Sequence, residues 1–307
     1  MNYAFKLDQG DKIKLKDYDP RFDAGLKKKD AVEPFAKFDK EIGELQELLY
    51  AAASHSVLIV LQGMDTSGKD GTVRSVMASV NPQGCQVVSF KTPTTEELAH
   101  DFLWRVHVNA PSKGMLHIFN RSHYEEVLIV RVHNLQPEEV WKKHYDHINN
   151  FERLLYDSNT IILKFFLHIS PEEQLERLLA REQEKDKRWK LSAGDYVERR
   201  YWDQYQEAYE DLLHKCSTPE APWYIVPADR KWFRNLAIAE SIVEALRPYR
   251  SKWEEALQAR GEKAYAELQE ARANGKISDT EVTRNIDKAK AHSLRANGAK
   301  TDLVKKD

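Results

Sequence analysis

The sequence predicts an α/β protein, a parallel five-stranded sheet flanked by helices. Short apolar runs alternate along the chain with longer segments of helical spacing, the pattern of strands joined by crossover helices. The first strong run, Val57-Leu58-Ile59-Val60-Leu61, enters a Gly-rich turn, Gly63-Met64-Asp65-Thr66-Ser67-Gly68-Lys69-Asp70-Gly71. A helical segment follows from Thr72 to Val80. At 307 residues the chain can bury one large core or two modest ones.

Each element has its own signal. Residues 1–34 are polar, include Lys27-Lys28-Lys29, and read as an extended or loosely packed arm. Phe35, Phe38, Ile42, Leu45, Leu48 and Leu49 recur at helical spacing from Val32 to Ala53. Strands are expected at about 57–62, 86–90, 115–120, 160–168 and 223–226. The fourth is an almost continuous apolar run with one lysine, which suits a central parallel strand. Helices are expected from Thr94 to Val106, capped by Thr94 or Thr95, and from Pro137 to Tyr156. A third starts at Ser170-Pro171-Glu172-Glu173 and runs to about Glu184, with Ser170 as cap and Pro171 in the first position. Ser192 to His214 and Phe233 to Leu246 complete the set. From Ser251 the composition turns to Glu, Ala, Lys and Arg. That predicts an exposed helix at 252–273 and a weakly ordered or helical tail at 274–307.

Composition narrows the function classes. With 41% hydrophobic and 31% charged residues, the chain reads as soluble and globular, and no apolar run approaches a membrane span. The N-terminus shows no apolar core of a signal peptide. Cys85 and Cys216 offer neither a disulfide framework nor metal-ligand spacing, and the expected compartment is the cytoplasm. A net charge of −2 argues against general polyanion or nucleic-acid binding, so any polyanion site must be a local concentration of Lys and Arg.

The turn at 63–71 has the form of a phosphate-binding loop. Gly63 and Gly68 let the backbone wrap a phosphate chain, with Thr66, Ser67 and Gly71 presenting N–H groups or lying against it. The following helix adds its positive end, and Lys69 supplies an ammonium for the phosphoryl group in flight. Two features depart from the usual pattern. The residue after the lysine is Asp70 rather than Ser or Thr, and Asp65 lies inside the loop. A bare carboxylate there repels phosphate unless a metal bridges the two, so Asp65 is read as a magnesium ligand replacing the missing hydroxyl. Asp70 is counted in the loop's phosphate-binding set, with the alternative that it is a surface residue of the first helical turn, where the helix dipole favours it; that alternative weighs more for Asp70 than for Asp65.

The third strand ends in Phe119-Asn120-Arg121-Ser122-His123-Tyr124-Glu125. Asn120 occupies the slot where related loops hold an acidic metal ligand, and it still offers a carbonyl oxygen. Arg121 can grip a phosphate in bidentate fashion, and Glu125 lies within a turn of the metal slot. His123 is read as structural, because a phosphate acceptor is already ionised and needs no strong base. Arg177, Arg181 and Lys185 recur every four residues on one helix face, ahead of the basic stretch Asp186-Lys187-Arg188-Trp189-Lys190. Alone this reads equally as a solvated face balanced by Glu172, Glu176 and Glu182. Beside the loop and Arg121 it favours a cationic lid, with Arg181, Lys187 and Arg188 on phosphate.

Three motifs together resemble the polyphosphate kinase 2 family: 63–71, Phe-Asn-Arg-Ser-His-Tyr-Glu at 119–125, and Lys-Arg-Trp-Lys-Leu-Ser at 187–192. Asn81-Pro82-Gln83-Gly84 and Phe90-Lys91 also look familial, and the likeness covers about residues 10–250. It implies a loop-kinase fold with a helical lid, and phosphoryl transfer between inorganic polyphosphate and nucleotides. Carried over by motif, Asp65 and Lys69 are the loop residues most needed for catalysis, Arg121 contacts phosphate, and 181–190 is the lid. Many members carry Asp where this chain has Asn120. The Asn form resembles the subgroup, class III, that phosphorylates both AMP and ADP. The organisation expected is an arm at 1–34, a phosphotransferase domain at 35–250 with its lid at about 171–200, and a charged helical extension at 251–307. The expected catalytic residues are Asp65, Lys69 and Arg121, and the expected metal set is Asp65, Asn120 and Glu125. Magnesium, with manganese as its alternative, is the expected cofactor. The expected partners are polyphosphate and adenine nucleotides, with guanine as an alternative base, in a homo-oligomer without nucleic acid or membrane. An ATP-dependent nucleoside monophosphate kinase and a non-catalytic polyphosphate-binding module are the competing readings.

Overall fold

In the computed structural model, residues 3–277 are described, and the chain divides into two compact units, Met1–Trp253 and Glu254–Asp307. The first unit holds a sheet of six strands: β1 (Phe5–Lys6), β2 (Ser56–Gln62), β3 (Cys85–Ser89), β4 (Leu116–Asn120), β5 (Thr160–His168) and β6 (Trp223–Pro227). Their order is β1-β6-β5-β2-β4-β3. All pairings are parallel except β1 with β6, where Phe5 lies opposite Ile225 and Lys6 opposite Tyr224. The expectation of five parallel strands is therefore corrected to six, with one antiparallel edge. A two-residue strand in a polar segment has no periodicity to read, and it forms only because β6 offers an unpaired edge.

The same contact corrects the picture of a loose N-terminal arm. Ala4, Leu7, Ile13 and Leu15 are buried, and the Leu7 N–H donates to the Trp223 carbonyl at 2.9 Å.

Helices cover both faces of the sheet: α1 (Val32–Ala52), α2 (Lys69–Val76), α3 (Thr95–Leu98), α4 (Trp104–His107), α5 (Ile129–Val132) and α6 (Glu138–Asp157) in the first half. The second half adds α7 (Pro171–Gln183), α8 (Ala193–Glu198), α9 (Trp202–Cys216) and α10 (Lys231–Leu246); the chain then continues as α11 (Arg250–Ala273), most of which belongs to the second unit. The helix expected from Thr94 to Val106 is two short helices, because Asp101 turns the chain by accepting the Leu103 N–H at 2.9 Å. The segment expected as one helix from Ser192 to His214 likewise divides into α8, a 3-10 turn and α9.

Strand alternation sorts the core into two layers. Leu58 and Val60 join Phe119, Ile162 and Phe166 on the face covered by α6 and α9. Val57, Ile59 and Leu61 join Ile161, Leu163, Phe165 and Leu167 under α1 and α10. Central β2 is buried at every residue, and its partners β4 and β5 flank it. Its carboxyl end is thus the crevice of the parallel sheet, where ligands of open α/β folds bind.

In the second unit, α11 continues through exposed residues with i,i+4 pairs such as Lys263–Glu267 at 3.9 Å. The tail expected at 274–307 lies mostly outside the described residues, which end at 277. Among the described residues no helix is long and apolar enough to cross a membrane.

Candidate active site

The loop between β2 and α2 is shaped by two glycines. Gly63 has φ 150°, and a Cβ there would lie 2.8 Å from both the Leu167 carbonyl oxygen and Ser67 Oγ. Gly68 has φ 105° and caps α2, and a Cβ on it would overlap the Arg234 guanidinium. The Ser67 N–H closes the turn on the Met64 carbonyl at 3.1 Å. Lys69 bends back across the loop, donating to the Gly63 carbonyl at 2.7 Å and the Met64 carbonyl at 3.3 Å. Burial, and then the charge of Arg121, lower its ammonium from 10.5 to about 8, against the opposing pull of Asp65, Glu125 and Asp70. The hydroxyls of Ser67 and Thr72 are buried there without a hydrogen-bond partner.

At the end of β4 the chain turns sharply. Arg121 takes φ 61°, and its N–H donates to the Leu61 carbonyl at 3.1 Å, so the turn is tied to β2. Its Nη2 donates to Asp65 Oδ1 at 2.5 Å. Burial works against the guanidinium charge, but Glu125 and Asp65 outweigh it and raise the group above its ordinary range. Asn120 Nδ2 donates to Asp70 Oδ1 at 2.8 Å, and Lys190 lies 3.6 Å from the other oxygen of Asp70. Burial opposes the charge on Asp70, yet the Asn120 hydrogen bond and the nearby Lys190 and Lys69 hold the carboxyl below its usual value. Asp70 is exposed, as a first-turn residue would be, and it also links α2, β4 and the basic turn.

These groups line one cleft of about 710 Å³. Its lining takes Asp65, Thr66, Gly68, Lys69, Asp70 and Gly71 from the loop and the start of α2, Asn120 and Arg121 from the end of β4, and Arg181, Trp189 and Lys190 from α7 and the basic turn. Glu125 is not part of that lining. It faces a smaller recess with Tyr205 and Tyr209, and Asp65 and Arg121 border both spaces. Thr92 and Asp195 also line the cleft without having been singled out in the sequence, and Lys91, noted there only as familial, joins them. Lys91 and Thr92 follow β3 outside any helix or strand and Asp195 sits in the short α8, and their polarity resembles that of any exposed segment.

The basic segment divides in its roles. Arg181 Nη1 donates to Asp195 Oδ2 at 2.8 Å and to the Lys190 carbonyl at 3.2 Å, tying α7 to α8 across the turn Lys185–Lys190. Arg188 Nε donates to the Glu182 carbonyl at 3.0 Å, away from the cleft lining. The Lys187 side chain lies outside the described residues. Arg177, on the same face by spacing, turns to the loop instead. It donates to the carbonyls of Thr66 at 2.9 Å and Ser67 at 3.0 Å, with Nε on Glu173 at 2.7 Å.

Beneath the Arg121 turn lies a buried ionic cluster. Lys164 Nζ donates to Glu152 at 2.5 Å, to Tyr124 Oη at 2.8 Å and to the Cys216 carbonyl at 2.6 Å. Tyr124 donates to Glu152 at 2.8 Å, and His123 Nε2 lies 3.2 Å from the same carboxylate. Burial lowers the His123 imidazole below its ordinary value. His123 therefore packs within the core beneath the cleft, where a structural histidine belongs.

Three comparisons bear on this site. The family model for polyphosphate kinase 2 matches residues 25–254. The chain is 51% identical over 246 residues to an AMP/ADP-polyphosphate phosphotransferase of Meiothermus ruber, covering 79% of this chain and 91% of that one. It is 44% identical over 269 residues to an ADP-polyphosphate phosphotransferase of Rhodopseudomonas palustris, covering 83% and 93%. Its structure is similar to the crystal structure of polyphosphate kinase 2 from Arthrobacter aurescens, with TM-score 0.76 and 42% identity over 78% of this chain and 87% of that one. The family match takes in β2 to β6, the loop, Asn120 and Arg121, and the Arg181–Lys190 segment, so the chain belongs to the polyphosphate kinase 2 family.

Proposed function

We propose that this protein transfers the terminal phosphoryl group of inorganic polyphosphate to AMP and to ADP, giving ADP and ATP, reversibly. The observation that carries the reading is the convergence of Lys69, Arg121, Arg181 and Lys190 from four segments on the cleft lined by the phosphate loop. The names of the two relatives support the donor and both acceptors.

The chemistry needs no covalent enzyme intermediate. An oxygen of the acceptor phosphate attacks the terminal phosphorus in line. The bond to the next bridging oxygen breaks, and the chain leaves one unit shorter. Lys69 and Arg121 spread the charge that builds on the transferring group, with Arg181 and Lys190 closing over it. The loop N–H groups add further donors.

Polyphosphate kinase 2 phosphotransferases generally need a divalent metal. The residues present fit one. Among the described residues neither Asp65 Oδ2 nor Asn120 Oδ1 takes a hydrogen bond, while Arg121 and Asp70 orient their neighbours. One or two protein oxygens, completed by substrate phosphates, suit magnesium better than a closed cage. Asp65 and Asn120 would hold it, with Glu125 behind Arg121 tuning the local charge. Bound there, the metal neutralises phosphate charge. Manganese is the alternative, and guanine nucleotides, a homo-oligomeric assembly and a cytoplasmic setting complete the proposal.

The test mixes the protein with AMP, magnesium and long-chain polyphosphate and separates the nucleotide products. ADP followed by ATP is expected. Turnover of AMP with ATP as sole donor, and none with polyphosphate, would assign an ordinary nucleoside monophosphate kinase instead.

A further inference from the structure

Besides Arg177, a further buried cation lies against the loop. Arg234, in the first turn of α10, is 2% exposed. Its Nη1 donates to the Ser67 carbonyl at 3.2 Å, and its guanidinium lies against Gly68, leaving no room for a Cβ there. Its Nε and Nη2 both donate to Asn235 Oδ1, at 3.1 and 2.8 Å. Every one of these acceptors is neutral. Among the described residues no carboxylate pairs with Arg234, whereas Arg177, which shares the Ser67 carbonyl, is paired with Glu173.

The position makes this charge more costly. Arg234 sits beside Gly68 and Gly71, at the N-terminal end of α2, where the helix already presents positive potential. Lys69, also buried, follows Gly68 directly and holds the Gly63 and Met64 carbonyls of the same loop. A buried cation without a counter-ion is strongly unfavourable, because its lost hydration is not repaid. Burial and then the neighbouring Arg177 pull the Arg234 guanidinium down to about 10, in line with that strain. One sequence change would remove the cost, since an aspartate at 235 would meet both N–H groups in the geometry that Asn235 already supplies.

We propose that Arg234 is a positioning residue whose uncompensated charge is completed by the bound phosphate chain, so that donor affinity is drawn from relief of a buried cation. Its hydrogen bond to the Ser67 carbonyl turns that peptide's oxygen away from the cleft. The N–H of Gly68, in the same peptide plane, then points the opposite way. The inference rests on the reading that polyphosphate binds at this loop.

The test is Asn235→Asp, which neutralises Arg234 in place and removes no cation, while the Ser75 hydroxyl, which accepts from Asn235 Nδ2 at 2.8 Å, can turn to donate to the new carboxylate. Binding of long-chain polyphosphate and thermal unfolding are measured with and without it, alongside steady-state kinetics. The expected result is a higher midpoint for the unliganded variant and polyphosphate binding weaker by about tenfold, the scale of one unit charge at partly screened range. KM for polyphosphate should rise with it, while KM for AMP and kcat move far less. A purely structural Arg234 would let the midpoint move while polyphosphate affinity and KM stay as they are. Unchanged polyphosphate affinity, or a lower midpoint with affinity intact, overturns the inference. Should Asn235→Asp fail to fold, Arg234→Met serves: weakened polyphosphate binding with an unchanged or raised midpoint upholds it, and wild-type affinity overturns it. If the wild-type protein itself does not bind polyphosphate, the functional reading falls and takes the inference with it. Binding by the wild type with an unaffected variant removes the inference alone.

Discussion

Lys69 shows how one residue links the loop's shape to its chemistry. Its ammonium satisfies two loop carbonyls while it waits for a phosphate, and burial has brought it to about 8. That value lies below the unfolded 10.5, so the unfolded chain binds more protons between the two. The unliganded protein should therefore gain stability from this group as pH rises from about 8 toward 10.5, and carry the full cost below that window. Urea midpoints at about pH 7 and about pH 10, compared with Lys69→Met, test the sign, because the variant should lose this part of the rise. Activity should run the other way. The alkaline limb of kcat/KM for polyphosphate should fall near pH 8, since the free enzyme loses its cation there. Lys69→Ala should cost on the order of a hundredfold or more in rate with the fold intact. A folded Lys69→Ala protein with wild-type turnover would sink the assignment.

At the scale of elements, α7 does two jobs from one face. Arg177 reaches the loop carbonyls, and one turn further on Arg181 reaches Asp195 and the basic turn. Both depend on where the helix begins. Ser170 Oγ accepts the Glu173 N–H at 3.2 Å and donates to Asp229 at 2.7 Å, while the Ser170 N–H donates to the other Asp229 oxygen at 2.8 Å. The helix start is thus fastened to the end of β6. Ser170→Ala should cost about 1 kcal/mol of stability, read from the denaturant midpoint, and should also raise KM for polyphosphate because the loop clamp loosens. A stability loss with unchanged KM would show that Arg177 holds the loop without help from the cap.

At the scale of the whole molecule, the buried cluster of Lys164, Glu152, Tyr124 and His123 lies where β5, the Arg121 turn and α6 meet. Burial opposes the charge on Glu152, and Lys164 with His123 outweighs it, holding the carboxyl below its ordinary value. Such a cluster is weak evidence for stability, because an apolar replacement of the whole often does as well. Removing one partner is a different matter. Lys164→Met should cost about 3–5 kcal/mol by leaving Glu152 without its ammonium, and adding Glu152→Gln should recover part of the loss. If the double variant is no more stable than the single one, the cost lies in packing around Lys164 rather than in an orphaned charge.

Sequence alone determined the parallel core, the loop with its glycines and lysine, and the family. Strand and helix periodicity is local, and a phosphate loop is a contiguous motif, so both are written in neighbouring residues. The arginine turn after β4 was legible for the same reason. Strand β1 was not, because two residues become a strand only against the open edge of β6. The separation of Arg177 from Arg181 was hidden as well. Both lie on one helical face by spacing, and only the position of the loop decides that one clamps its back while the other faces its front. Arg234 stood in a helix whose buried face is mostly apolar but also carries Glu240 and Ser241, so its position alone gave little signal. Its role depends on a neutral neighbour at 235 and on a glycine some 166 positions earlier. Charge balance in a buried site is a sum over elements distant in sequence, and the tertiary structure is where that sum is taken.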